Sequence, residues 1–210
     1  MASQTPPSLE GRFSSWCREG GAKPAIAASL WASVVTRYSE EQRHYHNLGH
    51  IAASLTELDR CGVQDFTIEG AIWFHDVIYD PHRSDNEDAS VAWFRENTDA
   101  WLDPVLAAEV TALIEATDFR RPRTEDSASA LMVDIDLAIL ATPEEAYDAY
   151  CAAIRREYAH VPDEAFRSGR AKVMAGFLAK RIYRTEYFAD REEAARRNIQ
   201  SELDELGASA

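Results

Sequence analysis

Cysteine is scarce in this sequence: Cys17, Cys61 and Cys151 are odd in number, widely spaced and without a Cys-x-x-Cys pair. That pattern excludes a disulfide framework and a zinc ribbon, so the thiols are expected to be reduced and structural. Long apolar runs are missing as well. No window approaches the about 18 uninterrupted apolar residues of a spanning helix, and no membrane is expected as a partner. The opening Met1-Ala2-Ser3-Gln4-Thr5-Pro6-Pro7 lacks a basic segment followed by an apolar one, which points to a cytoplasmic location. Positive charge is also in deficit. Lys and Arg number 22 against 36 Asp and Glu, a formal net charge of -14, so the surface repels polyanions and a nucleic-acid polymer is excluded as a nonspecific partner. A small anionic substrate remains compatible where positive charge gathers. One segment qualifies: Arg155 to Arg184 holds eight Lys/Arg and three Asp/Glu, against 14 and 33 elsewhere.

What is present is ordinary for a globular protein. The 210 residues are 46% hydrophobic and 28% charged, enough for one domain with a substantial core. Apolar residues from Pro24 to Tyr38 recur at helical spacing behind a first-turn proline. A second helix is predicted from about Asn47 to Arg60, ending before Gly62. The run Ile68 to Tyr79 is rich in β-branched and aromatic residues and could be a buried strand. Helix is preferred, since a lone strand has nothing to pair with. Ser84-Asp85-Asn86-Glu87 and Thr142-Pro143-Glu144-Glu145 read as capping boxes, and Asp103-Pro104 as a helix start. Arg120 to Asp126 reads as a polar loop. Further helices are expected over Leu131 to Leu140, from Thr142 through Tyr158, from Asp163 to Tyr183, and from Asp190 to Leu206. Too few strand-like stretches remain for a sheet, and the class is all-α with roughly eight to ten helices.

One stretch stands out chemically. His75-Asp76 lies inside Ile72-Trp73-Phe74-His75-Asp76-Val77-Ile78-Tyr79, an imidazole beside a carboxylate in a run apolar enough to be core. Such a pair is costly to bury without a partner. A divalent metal ion is the expected partner, with further ligands from His50, 25 residues before His75, and Asp136, 60 residues after Asp76. This mixed nitrogen and oxygen set suits manganese, iron, cobalt, nickel, zinc or magnesium with open positions for water, better than a closed structural zinc. His46 is four residues from His50, so both imidazoles can face one pocket. A side chain whose charge changes near neutral pH suits His46 as the acid that protonates a leaving group.

Tyr45-His46-Asn47-Leu48-Gly49-His50, then Phe74-His75-Asp76-Val77, then a distant Asp in a helix resembles the HD superfamily of metal-dependent phosphohydrolases, most closely a small bacterial group. That group's pattern resembles Phe74-His75-Asp76-x-x-Tyr79-Asp80, Asp85-Asn86-Glu87, Asp136-Leu137-x-Ile139-Leu140 and Ile154-Arg155-x-Glu157-Tyr158 here, covering most of residues 40 to 200. The Tyr-His-Asn-x-x-His element is also similar to that of cyclic nucleotide phosphodiesterases. The resemblance implies an HD-type helical bundle as a single domain over residues 1–210, its metal-binding core at about 40–142 and C-terminal helices at about 143–206 covering the pocket. It implies metal ligands His50, His75, Asp76 and Asp136, with Asp76 able to bridge to a second ion and His46 as the acid. A metal-bound hydroxide would then attack a phosphoester, monoester or diester, of a small nucleotide-like substrate. HD members that hold two metals carry further histidines between the His-Asp pair and the last Asp. Here that interval has none after His82, which favours a single metal over a diiron centre.

Several residues carry alternatives. Asp134 shares the apolar run with Asp136, and the two face nearly opposite ways on a helix; the family pattern selects Asp136. Glu87 is either a capping residue or a group orienting water at the metal. Arg155, Arg170 and Arg181 are candidates for binding substrate phosphate, with salt bridges to the many carboxylates as the alternative. The competing function is a non-catalytic metal- and nucleotide-binding HD module.

Overall fold

The computed structural model describes residues 8–124 and 126–207; the reading of the opening segment, residues 1–7, lies outside them. Among the described residues there are ten α-helices, two 3₁₀ segments and no strand, and the fold is all-α. No described helix is long and apolar enough to cross a membrane. The described residues pack as two compact units, one of residues 8–40 and 46–121, the other of residues 41–45, 122–124 and 126–207.

The first unit holds α1 (Leu9–Glu19), α2 (Pro24–Tyr38), α3 (Leu48–Arg60), α4 (Phe66–Phe74), α5 (Asn86–Thr98) and α6 (Pro104–Ala116). Its centre is α4, which packs on α1, α3, α5 and α6. Seven of its nine residues are buried, Thr67, Ile68 and Gly70 to Phe74. A helix enclosed on every side needs no polar face, which is why this run lacks helical periodicity. Around it sit Phe13, Trp16, Trp31, Trp93 and Phe94, with Phe13 edge-on to Trp73 at 5.2 Å and Trp16 stacked on Phe66 at 4.9 Å. The Arg12 guanidinium forks onto both Glu69 carboxylate oxygens at 3.0 Å. The sequence reading passed over α1, although Ser8 caps it and Phe13, Trp16 and Cys17 form its buried stripe. Burial pushes the Cys17 thiol up to about 12, which keeps it protonated and inert.

Gly70 lets α1 and α6 approach this helix. A β-carbon there would stand 2.8 Å from Trp16 Cζ2 and 3.0 Å from Val110 Cγ2. Gly70→Ala is therefore expected to destabilise the protein by about 1–3 kcal/mol through overpacking. Gly176→Ala, on an exposed helical face with nothing within 4 Å, should stabilise by about 0.5–1 kcal/mol. Denaturant midpoints of the two variants, moving in opposite directions from the wild type, are the measurement; a shared direction would remove the packing argument.

In the second unit, α7 (Ser127–Asp136) runs into a 3₁₀ segment, Leu137–Ala141, followed by α8 (Glu144–Glu157), α9 (Asp163–Leu178), a second 3₁₀ segment, Glu186–Arg191, and α10 (Glu192–Glu205). The last helix packs on α9 and on Leu137–Ala141. Glu157 accepts the main-chain N–H of His44 and Tyr45, which ties residues 41–45 into this unit.

Element boundaries differ from the sequence reading where side chains take over backbone partners. The helix over Ile68 to Tyr79 stops at Phe74. The carbonyls it leaves behind are met by side chains, His75 Nδ1 on Ile72 O and Tyr38 Oη on Trp73 O. The helix from Asp163 stops at Leu178 rather than Tyr183, because Glu192 accepts the N–H of Ile182 and Tyr183 and Asp134 that of Arg184 and Thr185. Neither capping box forms. Asp85 precedes α5 with its carboxylate on Arg83, and Thr142 Oγ1 donates to Ile139 O. By contrast Asn47, Asp103 and Asp126 each accept N–H bonds from the helix they begin.

Candidate metal centre

Three of the expected ligands meet in the first unit. Asn47 caps α3 through Gly49 N and so places His50 in that helix's first turn. His75 ends α4, and Asp76 follows. His50 Nε2 lies 3.1 Å from His75 Nε2, and Asp76 Oδ2 lies 3.0 Å from His75 Nε2 and 3.8 Å from His50 Nε2. These three residues can hold a metal ion. The His side chains are 3% and 2% exposed and that of Asp76 15%, so the donor atoms are shielded while one edge remains reachable.

The protonation pattern favours a cation. A carbonyl only accepts, so the 3.1 Å contact to Ile72 O puts a proton on His75 Nδ1. His75 Nε2 then faces a carboxylate oxygen and a second imidazole, an arrangement that needs positive charge among them, from a proton on Nε2 or from a metal ion. An N–H held by a backbone carbonyl is also the arrangement of metal-ligating histidines. Metal–ligand bonds of about 2.0–2.2 Å separate adjacent donors by roughly 2.9–3.5 Å at octahedral to tetrahedral angles. Two of the three edges fall in that range. The Asp76 carboxyl feels opposing influences: burial by itself raises its pKa, but positive charge at His75, His46 and His50 outweighs this and holds it well below the usual carboxylate range. Asp76 is thus an anion whose surroundings call for positive charge.

His46 precedes α3. Its ring stacks on Tyr79 with centroids 3.9 Å apart and planes at 23°, and lies 6.0 Å from the His50 ring. The loop carrying Tyr79 is fastened to α5. Asn86 bonds both Asp80 N and Asp80 O at 3.0 Å, and Ser90 Oγ bonds Ile78 N at 3.1 Å and Ile78 O at 3.2 Å. Asn86 and Ser90 were not singled out in the sequence as holding this loop, although their four-residue spacing puts both on one helical face.

Glu87 takes neither a capping role nor a free position. Its carboxylate accepts from Arg120 at 3.0 Å, and the same guanidinium holds Asp118 at 2.7 Å. Burial, then repulsion from Asp118 and Asp76, raises the Glu87 pKa against the pull of Arg120. Glu87 therefore senses the charge at Asp76.

The remaining candidates lie in the second unit. Asp136 ends α7. Asp134 is fully buried and accepts from Arg184 N, Thr185 N and Thr185 Oγ1 at 2.7–3.0 Å. Its lone pairs are taken by these donors. Arg155 donates to Tyr158 O, Val161 O and Asp163. Arg170 is paired with Glu202 at 2.7 Å under the Tyr150 ring, and Glu202 also accepts from Tyr147 Oη at 2.6 Å. Both guanidiniums thus serve the packing of their own unit, the salt-bridge alternative. The Arg181 side chain is exposed.

Comparisons with protein-family models, with curated proteins and with solved structures return no match.

Proposed function

We propose that this chain is a metal-dependent hydrolase. More particularly, we read it as a phosphohydrolase acting on a phosphoester of a small, nucleotide-like anionic substrate. The observation that carries the reading is the convergence of His50 Nε2, His75 Nε2 and Asp76 Oδ2 with His75 Nδ1 committed to Ile72 O.

His50, His75 and Asp76 would bind a divalent ion, manganese, iron, cobalt, nickel, zinc or magnesium. Such an ion lowers the pKa of water at an open position and polarises a phosphoryl oxygen. The Ile72 carbonyl fixes the His75 tautomer, so that Nε2 presents its lone pair. Asp76 supplies negative charge that offsets the cation. His46, braced by the Tyr79 ring and 6.0 Å from the His50 ring, would hold a proton and give it to the departing oxygen. The strongly acidic surface favours a small substrate over a polymeric one.

The test strips the full chain with a chelator, reloads it with one metal at a time and offers nucleoside mono-, di- and cyclic phosphates. Hydrolysis is expected only in metal-loaded protein, at about one ion per chain, and chelation should abolish it. Tight metal and nucleotide binding with no turnover across the panel would instead establish the non-catalytic module.

A further inference from the structure

Arginines in this chain usually find carboxylates, as Arg120, Arg155 and Arg170 do. Arg123 and Arg184 in the second unit meet main-chain carbonyls instead. Arg123 Nη1 reaches the carbonyl of Arg181 at 3.0 Å, and Arg184 Nη1 reaches back to the carbonyl of Thr124 at 2.6 Å. The two segments clasp each other through guanidiniums whose acceptors are neutral. Among the described residues neither cation forms an ion pair, in a sequence with 36 acidic side chains.

The positive charge is also crowded and partly buried. Burial, then the charge of Arg184, lowers the Arg123 pKa, with Asp134 and Glu192 opposing. Those two carboxylates are near but already taken, Asp134 by Arg184 N and Thr185, Glu192 by Ile182 N, Tyr183 N and Arg196. Arg184 Nε is shielded from solvent and has no hydrogen-bond partner. With Nη1 committed to Thr124 and Nε shielded, Nη2 is the nitrogen left for an outside acceptor, on a guanidinium whose planar fork a lysine lacks.

We propose that Arg123 and Arg184 form a binding site for the phosphate group of a small molecule. A tetrahedral dianion supplies what the clasp lacks, negative charge beside two cations that form no ion pair among the described residues. The site is independent of the metal reading, and nothing in it requires turnover. It gives the basic segment Arg155 to Arg184 a specific function, because Arg155 and Arg170 are neutralised while Arg184 is not.

The experiment titrates chelator-treated full chain with inorganic phosphate, using chloride at matched ionic strength as the reference, and follows thermal unfolding and calorimetric heat. Phosphate is expected to raise the wild-type midpoint, as any ligand of the native state must. Arg123→Gln and Arg184→Gln should each weaken binding at least tenfold. Arg184→Lys, which keeps charge and loses the fork, should fall between, and Arg197→Gln should bind as the wild type does. A nucleoside monophosphate titrated alongside distinguishes free phosphate from a phosphoester as the better ligand. Should the glutamine variants fail to fold, phenylglyoxal labelling of the wild type gives the same answer, with phosphate protecting Arg123 and Arg184 but not Arg197. No phosphate binding by the wild type, or equal binding by the Arg123→Gln/Arg184→Gln double variant, overturns the proposal. With metal chelated throughout, that failure would leave the metal centre untouched.

Discussion

His75→Ala is expected to bring bound metal from about one ion per chain to near zero and to cut kcat/KM on the order of 10³-fold. The magnitude follows from the place of this residue in the site. Replacing groups that only orient metal ligands costs about 10–100-fold, and His75 is itself a proposed ligand in contact with both others, at 3.1 Å from His50 and 3.0 Å from Asp76. Elemental analysis and steady-state kinetics on one preparation give the result. A folding defect is separated by Asp76→Asn, which keeps the size of the side chain, removes the anion and should show the same joint loss. Wild-type activity in His75→Ala would falsify the metal mechanism outright.

His46→Gln should behave differently. Metal content is expected to stay at the wild-type level, since the other residues at the site keep their contacts, while kcat falls by about 10²–10⁴, the usual contribution of a general acid. The chemistry supplies a sharper readout. A p-nitrophenyl phosphoester leaves as a stable phenolate and needs no proton, so the variant should hydrolyse it nearly as fast as the wild type. An alkyl or nucleoside ester, whose alkoxide must be protonated, should show the full loss. Equal losses on both substrates, or loss of metal, would instead make His46 a structural residue of the site. Its stack on Tyr79 makes that alternative concrete.

Much of the fold was legible because local signals and tertiary packing agree. The helix over Pro24–Tyr38 begins and ends as its proline and apolar spacing predict, and Asn47 and Asp103 start the helices their side-chain chemistry favours. The central helix was harder to read. Its residues are apolar on all sides because neighbours cover all sides, so periodicity carried no information about it. The ends of α4 and α9 were misjudged for a related reason. Pattern cannot reveal that Tyr38 will cap Trp73 O or that Asp134 and Glu192 will collect the amides of residues 182–185. The two capping boxes failed where another partner lay at hand, Arg120 for Glu87 and the carbonyl of Ile139 for Thr142.

The sequence by itself determined the residue types at the candidate site, the all-α class, and the order His46, His50, His75, Asp76, Asp136. It did so because metal-ligand chemistry resides in side-chain identity and helix propensity is local. Tertiary structure decided what identity leaves open. It brought His50 within 3.1 Å of His75 and fixed the tautomer of His75 through Ile72 O. It filled the lone pairs of Asp134 with main-chain amides 50 residues away. It also neutralised Arg155 and Arg170 while leaving the Arg184 Nε without an acceptor. Charge pairing is a matter of distance between groups remote in sequence, and packing sets that distance.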